Sequence, residues 1–288
     1  MISLTVEEKK NHHKLTLKIL ILGLIISAII ANSVIISSDQ HNKHYTSLWT
    51  LNITGAIATS LAGIAVYRHG LHGLHGKSYL FLMLGLISWF AADITLMYYY
   101  YELGIEEQQL VSITDFFWFT GYVFLASHLF TILRSLRSTI KIEIVILASI
   151  ATVAFIIYNV YNLTSSQFLN DVDFVAFAVT IAYPILDLIL IIPSAIIVVS
   201  LRKDYQHSIP WLLSSISLLV NAIADDGYVN DFVNGNSQNL WRWDLFYVTD
   251  YIIMIFALFW YNKFHISNEI RKELNSKKNK PGSFKNYS

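Results

Sequence analysis

Cysteine is absent from this chain of 288 residues, and charged residues make up only 14% of it. Without cysteine the chain forms no disulfide, no thiolate metal site and no cysteine nucleophile. The low charge, together with 55% hydrophobic residues, is typical of an integral membrane protein and not of one or two soluble domains. We therefore expect an all-α fold, a polytopic bundle of membrane helices whose main partner is the lipid bilayer.

Several enzyme and cofactor motifs are also missing. The later helices have no interior lysine for a retinal Schiff base, and haem held across a bundle usually needs two histidines, whereas His128 is the only one in the middle of a span. The chain has no nucleotide-binding loop, no Ser-His-Asp set and no His-Glu-x-x-His motif. We expect no cofactor and no nucleic-acid partner, and enzyme activity has no candidate catalytic residue.

Eight apolar stretches approach the length of about 20 residues that a spanning helix needs. The first follows a basic segment but has no clear cleavage site of a signal peptide, so we interpret it as a retained helix. The fifth has the weakest signal. The predicted spans are 17–37, 48–68, 78–101, 113–134, 143–161, 173–200, 209–231 and 240–262.

Lysine and arginine are distributed unevenly between the predicted loops. If the amino terminus is cytoplasmic, 18 of the 20 basic residues lie on the inner side, and only Lys43 and Arg242 lie outside. This asymmetry follows the positive-inside rule. It predicts a multi-pass protein of the cell membrane with a cytoplasmic segment at residues 1–16 and a basic cytoplasmic tail at residues 263–288. The tail is expected to contact anionic lipid or to bind a partner.

One pattern of acidic and aromatic residues occurs twice. Its two copies are Ala92-Asp93 followed by Asp115-x-Phe117-Trp118-x-Thr120-x-Tyr122, and Ala224-Asp225 followed by Asp244-x-Phe246-Tyr247-x-Thr249-x-Tyr251. A shift of 132 residues aligns the Ala-Asp pairs, and a shift of 129 aligns the longer motifs. Two explanations remain open. The pattern is either chance similarity or a duplication into tandem four-helix repeats, 17–134 and 135–262, related by an axis along the membrane normal.

The predicted spans contain acidic residues with no basic partner in the same span. They are Asp93, Asp115, Asp187, Asp225, Asp244 and Asp250. A carboxylate at the centre of a spanning helix costs about 2.5 to 3.5 kcal/mol, so it usually faces the bundle interior and has a role. The acids, with Tyr122 and Tyr251, either bind a ligand or ion or only cross-link helices. For Asp115 and Asp244, in first helical turns, capping is the simpler explanation.

Two further segments contain candidate residues. Pro184 precedes Asp187 by three residues, and a proline inside a spanning helix removes a backbone hydrogen bond and bends the helix. Three histidines recur at every third position between the second and third spans. Imidazoles at this spacing are weak candidates for a zinc or copper site, because intervening glycines make the segment flexible. These histidines are His69, His72 and His75.

The order of several short motifs resembles a known membrane module. These motifs are Trp89 with Ala92-Asp93, Asp115-x-x-Trp118-x-x-Gly121-Tyr122, Tyr183-Pro184-x-x-Asp187 and Ala224-Asp225-x-x-Tyr228. Over roughly residues 45–262 the chain looks like the multi-helix membrane sensor region at the amino terminus of bacterial diguanylate cyclases and some sensor kinases. This resemblance implies a receptor coupled to a cytoplasmic output domain. The 25 residues after Lys263 leave no room for one, so the output is expected from a separate protein.

Three classes of function are compatible with these patterns. The first is a sensor or regulatory module that binds a small ligand, proton or cation among acids in the outer half of the membrane and signals to a cytoplasmic partner. The second is a small proton- or cation-coupled transporter. The third is a structural subunit of a membrane complex, and homo-oligomers are compatible with all three. If a site exists, we expect Asp93 and Asp225 on opposite sides of a central cavity, with Asp187 below them.

The distribution of charge predicts a topology that reporter fusions can measure. Fusions expected to report cytoplasm are at Lys77, Arg137, Lys203 and the carboxyl terminus, and those expected outside are at Asp39, Glu106, Gln167 and Asn236. A carboxyl terminus found outside would contradict eight spans and the parallel repeats together.

Overall fold

A computed structural model of the protein describes residues 6–40, 42–104, 111–138, 140–165, 174–201, 205–236 and 239–266. Over these ranges the chain forms eight α-helices and no strand, which confirms the predicted all-α class. The helices are α1 (Val6–Ser37), α2 (Lys43–His69), α3 (Gly73–Glu102), α4 (Ile113–Leu136), α5 (Ile142–Ser165), α6 (Phe174–Leu201), α7 (Tyr205–Val233) and α8 (Trp241–Trp260). The predicted tail beyond residue 266 lies outside the described ranges.

Seven of the described helices are long and apolar enough to cross a bilayer, and they are α1 to α4 and α6 to α8. This confirms a multi-pass membrane protein. The fifth predicted span corresponds to α5, whose described apolar stretch is Ile142–Phe155. The whole helix α5 has 24 residues and is not one of the seven.

Six helices form a closed ring. Going around it, α2 packs on α3, α3 on α4, α4 on α6, α6 on α7, α7 on α8 and α8 on α2. The helices α3 and α7 therefore stand on opposite sides of the ring, and so do α4 and α8. One continuous apolar core joins these helices, and it includes Leu86, Leu125, Leu218 and Met254.

The two remaining helices lie outside the ring. α1 packs against α8 and α2, and α5 packs against α6 and α7. Both expose large apolar side chains: Ile19 is 61% exposed and Leu147 is 70% exposed. Soluble proteins rarely expose large continuous apolar surfaces, whereas lipid tails can cover such surfaces without cost. The two perimeter helices therefore present apolar side chains on their outer faces.

Small residues allow the ring helices to approach one another closely. Ala58, Ala62 and Ala65 form a stripe on α2 and are 0% exposed. On α4, Gly121 lies against the indole of Trp89, and a Cβ atom built on Gly121 would stand 2.2 Å from Cδ1 of that ring. Packing of this kind drives helix association inside membranes, where no hydrophobic force brings helices together.

Polar side chains bind free backbone carbonyls at helix interfaces. The indole nitrogen of Trp89 donates to the carbonyl oxygen of Trp118 at 3.2 Å, which ties α3 to α4. At the end of α8 a π-helical turn, Tyr261–His265, continues the chain. There the guanidinium of Arg68 donates to the carbonyl oxygen of Asn262 at 2.5 Å. The carboxyl-terminal end of α2 is thereby bonded to that of α8.

The contact between Gly121 and Trp89 generates a stability prediction. Gly121→Ala places a methyl group where the indole lies, so it should destabilise the protein by about 1 to 3 kcal/mol. Gly63→Ala is the matched control, because the nearest heavy atom to its new Cβ is Sδ of Met83 at 4.0 Å. That change should be neutral or stabilising by up to about 1 kcal/mol. Thermal unfolding in detergent measures both, and equal loss of stability in the two variants would contradict the described packing.

Candidate functional site

The centre of the candidate site is the hydroxyl group of Tyr122, on α4. It lies 2.7 Å from Oδ1 of Asp187, on α6, and it also contacts Oδ2 of Asp225, on α7. Tyr122 and Asp187 are each 3% exposed. Three consecutive helices of the ring are therefore tied together through one phenolic oxygen.

The single proton of the Tyr122 hydroxyl group limits how this residue can bind two carboxyl groups. A phenolic hydroxyl group has one proton and donates one hydrogen bond at a time. If the two contacts of Tyr122 are separate hydrogen bonds, one of them uses a proton that a carboxyl group carries. In that case Asp187 and Asp225 hold at least one proton between them. Two bare carboxylates at this separation would repel each other strongly in a low-dielectric interior.

A second tyrosine extends this group of residues to a fourth helix. The hydroxyl of Tyr247, on α8, donates to Oδ1 of Asp225 at 2.6 Å. Asp225 thus contacts two tyrosines through its two oxygens. We call the set formed by Asp187, Tyr122, Asp225 and Tyr247 the tyrosine–carboxyl network. It joins α4, α6, α7 and α8 by side chains alone.

A related contact is found on the other side of the ring. The hydroxyl of Tyr251, on α8, donates to Oδ2 of Asp93, on α3, at 2.7 Å. Tyr122 and Tyr251 hold the same place in the two occurrences of the acidic and aromatic pattern, and so do Asp225 and Asp93. Each tyrosine therefore binds the acid of the other copy, and α3 and α7, which carry these acids, face each other across the ring.

Asp115 serves as a helix cap, as its position in the first turn of α4 predicted. Its Oδ2 accepts from the backbone N–H of Ser112 at 2.7 Å, and the Ser112 hydroxyl oxygen accepts from the N–H of Thr114 at 3.2 Å. The other oxygen of Asp115 accepts from the hydroxyl of Tyr183, on α6, at 2.5 Å. The same carboxyl group thus caps α4 and binds α6.

Asp244 has a different role from the one its position predicted. It lies in the first turn of α8, but the amino terminus of α8 has no side-chain cap, and Asp244 instead accepts a hydrogen bond from the hydroxyl of Ser47, on α2. Asp244 is 8% exposed and Ser47 is fully buried. The capping explanation for Asp244 is therefore wrong, because the side chain points into the α2–α8 interface and away from its own helix terminus.

Four of the partner groups were not assigned to the site from the sequence. They are Ser47, Tyr183, Ser217 and Tyr247. Tyr183 and Tyr247 do lie within the quoted motifs, so their hydroxyl groups could have been chosen as donors. Ser47 and Ser217 gave no signal, because serine is common in membrane helices and neither belongs to a repeated pattern. Ser217 donates to Asp250, which brings the deepest acid of α8 against α7.

These carboxyl groups bind hydroxyl groups instead of cations. Among the residues that the structure describes, no salt bridge joins a lysine or arginine to any of the buried acids. An isolated carboxylate in an apolar interior is so costly that it takes up a proton or a cation. Hydroxyl donors reduce this cost but add no positive charge. The site is therefore suited to bind and release protons or small cations.

The three candidate metal-binding histidines face different partners. Nδ1 of His69 lies 3.0 Å from the hydroxyl oxygen of Tyr261, and the ring of His75 packs on Trp211 at 5.2 Å between ring centroids. His72 is the residue before α3. Within the described ranges no group of three histidine, cysteine or acidic side chains is placed to hold a metal ion. The structure thus gives the zinc or copper alternative no support.

The shared proton of the network can be tested by infrared spectroscopy. Near neutral pH the purified protein should show absorption from a protonated carboxyl group, and Asp187→Asn or Asp225→Asn should remove about one carboxyl group's share of it. Asp39→Asn is the control, since Asp39 is exposed beyond the end of α1 and should leave the band unchanged. A spectrum of the wild-type protein without protonated carboxyl groups would contradict the proton count around Tyr122.

The geometry of these acids and tyrosines is the main guide to function. Comparison of the chain with protein-family models, with curated proteins and with solved structures finds no match.

Proposed function

We propose that the protein is an integral membrane sensor or regulatory module. It takes up a proton or small cation at the tyrosine–carboxyl network and passes a helix movement to a separate cytoplasmic signalling protein. The observation that carries this proposal is the contact of one Tyr122 hydroxyl group with both Asp187 and Asp225. Buried acids without a basic partner are the usual sites of proton and ion uptake in membrane helices.

The network couples the protonation state to helix position. Removing the shared proton leaves two negative charges on α6 and α7, on either side of the phenolic oxygen of Tyr122. Their repulsion in a low-dielectric interior favours separation of α6 from α7, and a proton or cation favours contact. An ion that binds one arrangement better than the other shifts the population of the two. Ion uptake thereby becomes a change in helix packing.

α8 connects this change to the end of the bundle. It carries Tyr247 of the network and Tyr251, which binds Asp93, and it continues into the π-helical turn Tyr261–His265. Arg68 holds that turn to the end of α2. A displacement of α8 is therefore transmitted to the segment from which the basic tail departs. Insertions of π-helix are frequent at functional sites.

The proposal includes a tandem duplication with parallel repeats. The alignment by 132 residues, extended from α3 and α7 to α2 and α6, places buried positions on buried positions. These pairs are Leu48 with Thr180, Asn52 with Pro184, Gly55 with Asp187, Ala58 with Leu190, Ala62 with Ser194 and Ala65 with Ile197. The reciprocal bonds of Tyr122 and Tyr251 to the acids of the other copy are what a twofold axis generates.

Contacts between α4 and α6 support eight spans. Asp115 is the third residue of α4 and binds Tyr183, the tenth of α6, and Tyr122, further along α4, binds Asp187, further along α6. The two helices therefore run in the same direction. Because α4 ends at the opposite face, the segment between Leu136 and Phe174 has to cross the bundle. α5 has 24 residues, a length of about 36 Å, which suffices for that crossing. With eight spans, the basic loops and both termini lie on the cytoplasmic side of the cell membrane, as the positive-inside rule predicts.

A small proton- or cation-coupled transporter is the second candidate. It is favoured by the opposed pairs Tyr122–Asp225 and Tyr251–Asp93, since transporters built from two repeats bind coupling ions where the repeats meet. The two functions differ in what crosses the membrane. A sensor binds its ion without net movement, whereas a transporter loads proteoliposomes with the ion or dissipates a proton gradient.

Asn substitutions at the two equivalent acids test the proposal. Asp93→Asn and Asp225→Asn keep the shape and remove the charge, so both variants should insert and fold. Affinity purification from native membranes in mild detergent should recover a kinase, cyclase or response regulator with the wild-type protein, in an amount that changes several-fold with pH or cation. The Asn variants should lose that dependence. Proteoliposomes of the wild-type protein should show no flux.

The control is Asp39→Asn. Asp39 is exposed beyond the end of α1 and lies outside the tyrosine–carboxyl network. This variant should keep the wild-type response. If Asp93→Asn and Asp225→Asn both leave ion response, ion movement and partner association at wild-type levels, the acids only cross-link helices. Association with a membrane complex that ignores pH and cations would indicate a structural subunit.

A further inference from the structure

One face of α7 is polar from the tyrosine–carboxyl network to the middle of the bundle. Ser214, Ser217, Asn221 and Asp225 are spaced by three, four and four residues, so they lie in one row along the helix. Ser214 is 2% exposed, Ser217 is 0% and Asn221 is 5%. The row is about 16 Å long. Polar groups this deep in an apolar bundle require partners or a ligand.

The deepest acid of α8 faces this row. The hydroxyl of Ser217 donates to Oδ1 of Asp250 and lies 3.2 Å from the backbone carbonyl oxygen of the same residue. Asp250 is 3% exposed. Its carboxyl group is therefore buried where α8 packs on α7, and its described hydrogen-bond donor is a neutral hydroxyl group.

An amide oxygen without a partner completes the cluster. Oδ1 of Asn221 is buried and receives no hydrogen bond. Asn221 is one helical turn from Ser217 on one side and from Asp225 on the other, so its side chain leaves α7 between two groups that both contact the ring interior. Most buried side-chain acceptors in proteins have a partner, so an exception marks a place for a ligand or water.

The first half of the chain has no such cluster. The alignment of the two copies places Gly85 on Ser217, Trp89 on Asn221 and Gly121 on Asp250. In that half the indole of Trp89 lies directly against Gly121 and fills the space. In the second half the smaller amide of Asn221 stands in place of the indole, and Ser217 and Asp250, which carry oxygen atoms, stand in place of the two glycines. The same place in the fold is thus apolar in one half and lined with oxygen atoms in the other.

From this arrangement we propose a second ion site, formed by Asp250, Ser217 and Asn221, that binds one small dehydrated monovalent cation. Hard cations take carboxylate, hydroxyl and amide oxygens as ligands, and these are the oxygen types that the three side chains carry. One carboxylate balances one positive charge, which suits sodium and not a divalent ion. The cluster also lies near the middle of the spans Ser208–Val233 and Trp241–Phe264, the depth at which transporters hold coupling ions.

The site is distinct from the tyrosine–carboxyl network, so its occupancy does not depend on the proposed signalling role. Asp250 has to release its proton before it binds a cation, and protons therefore compete with sodium at this position. Asp225, at the end of the row on α7, lies about 12 Å along the helix from Ser217. The row is a continuous set of polar groups between the two ion-binding places.

Binding of radiolabelled sodium to the purified protein in detergent tests this site. The wild-type protein should show saturable binding that weakens as the pH falls. Asp250→Asn should reduce the affinity at least about tenfold, and Ser217→Ala and Asn221→Leu should reduce it several-fold. Ser215→Ala is the matched control, because Ser215 is equally buried but faces another side of α7, and it should bind sodium as the wild-type protein does.

Several outcomes would overturn the site. They are the absence of saturable binding of sodium, lithium and potassium to the wild-type protein, and wild-type affinity in both Ser217→Ala and Asn221→Leu. If Asp250→Asn does not fold, these two variants decide by themselves. Loss of sodium binding in Asp225→Asn with normal binding in Ser217→Ala would place the ion at the tyrosine–carboxyl network. Normal sodium binding without any partner response would reject the proposed function and leave the second site intact.

Discussion

The structure depends on one constraint, which is that carboxyl groups lie inside an apolar ring and, among the described residues, have no basic partners. Each of them needs a hydrogen-bond donor, and in a membrane these donors have to come from other helices. Tyrosine suits this purpose, because its hydroxyl group stands far from its own backbone and reaches acids across the ring. Tyr122 and Tyr251 bind Asp225 and Asp93 in this way, and Ser47 binds Asp244 where α2 and α8 touch. The order of the helices around the ring therefore decides which donor each buried acid can reach.

The two halves of the ring place different side chains in the interior. The first half fills its interior with Trp89 packed on Gly121, while the second half keeps Asp187 and Asp250 at the places where the first has Gly55 and Gly121. The acids shared by both halves, Asp93 and Asp225, each accept a hydrogen bond from a tyrosine of the other half. The acids found in one half only, Asp187 and Asp250, are both buried in the second half.

The helices at the perimeter and the helix α8 contribute to the fold in different ways. α1 and α5 stand outside the ring and expose large apolar side chains, although α1 also contributes Asn32, whose amide donates to the hydroxyl oxygen of Thr249 on α8 at 3.0 Å. α8 contacts the acids of both halves and ends in a π-helical turn that Arg68 holds to α2. α8 therefore links the buried acids to the end of α2.

The sequence by itself determined the helices, the membrane class and the acids that stand inside the spans, because hydropathy, charge asymmetry and local spacing are properties of neighbouring residues. It also predicted the cap at Asp115, which needs only the first turn of α4. It did not predict which tyrosine binds which acid, nor that Ser47 takes Asp244 away from a cap, nor that Ser217 and Asn221 join Asp250. Those contacts link residues separated by 103 positions for Tyr122–Asp225 and 197 for Ser47–Asp244. They depend on the order of helices around the ring, and only the tertiary structure decides that order, since each apolar stretch has the same preference for any apolar neighbour.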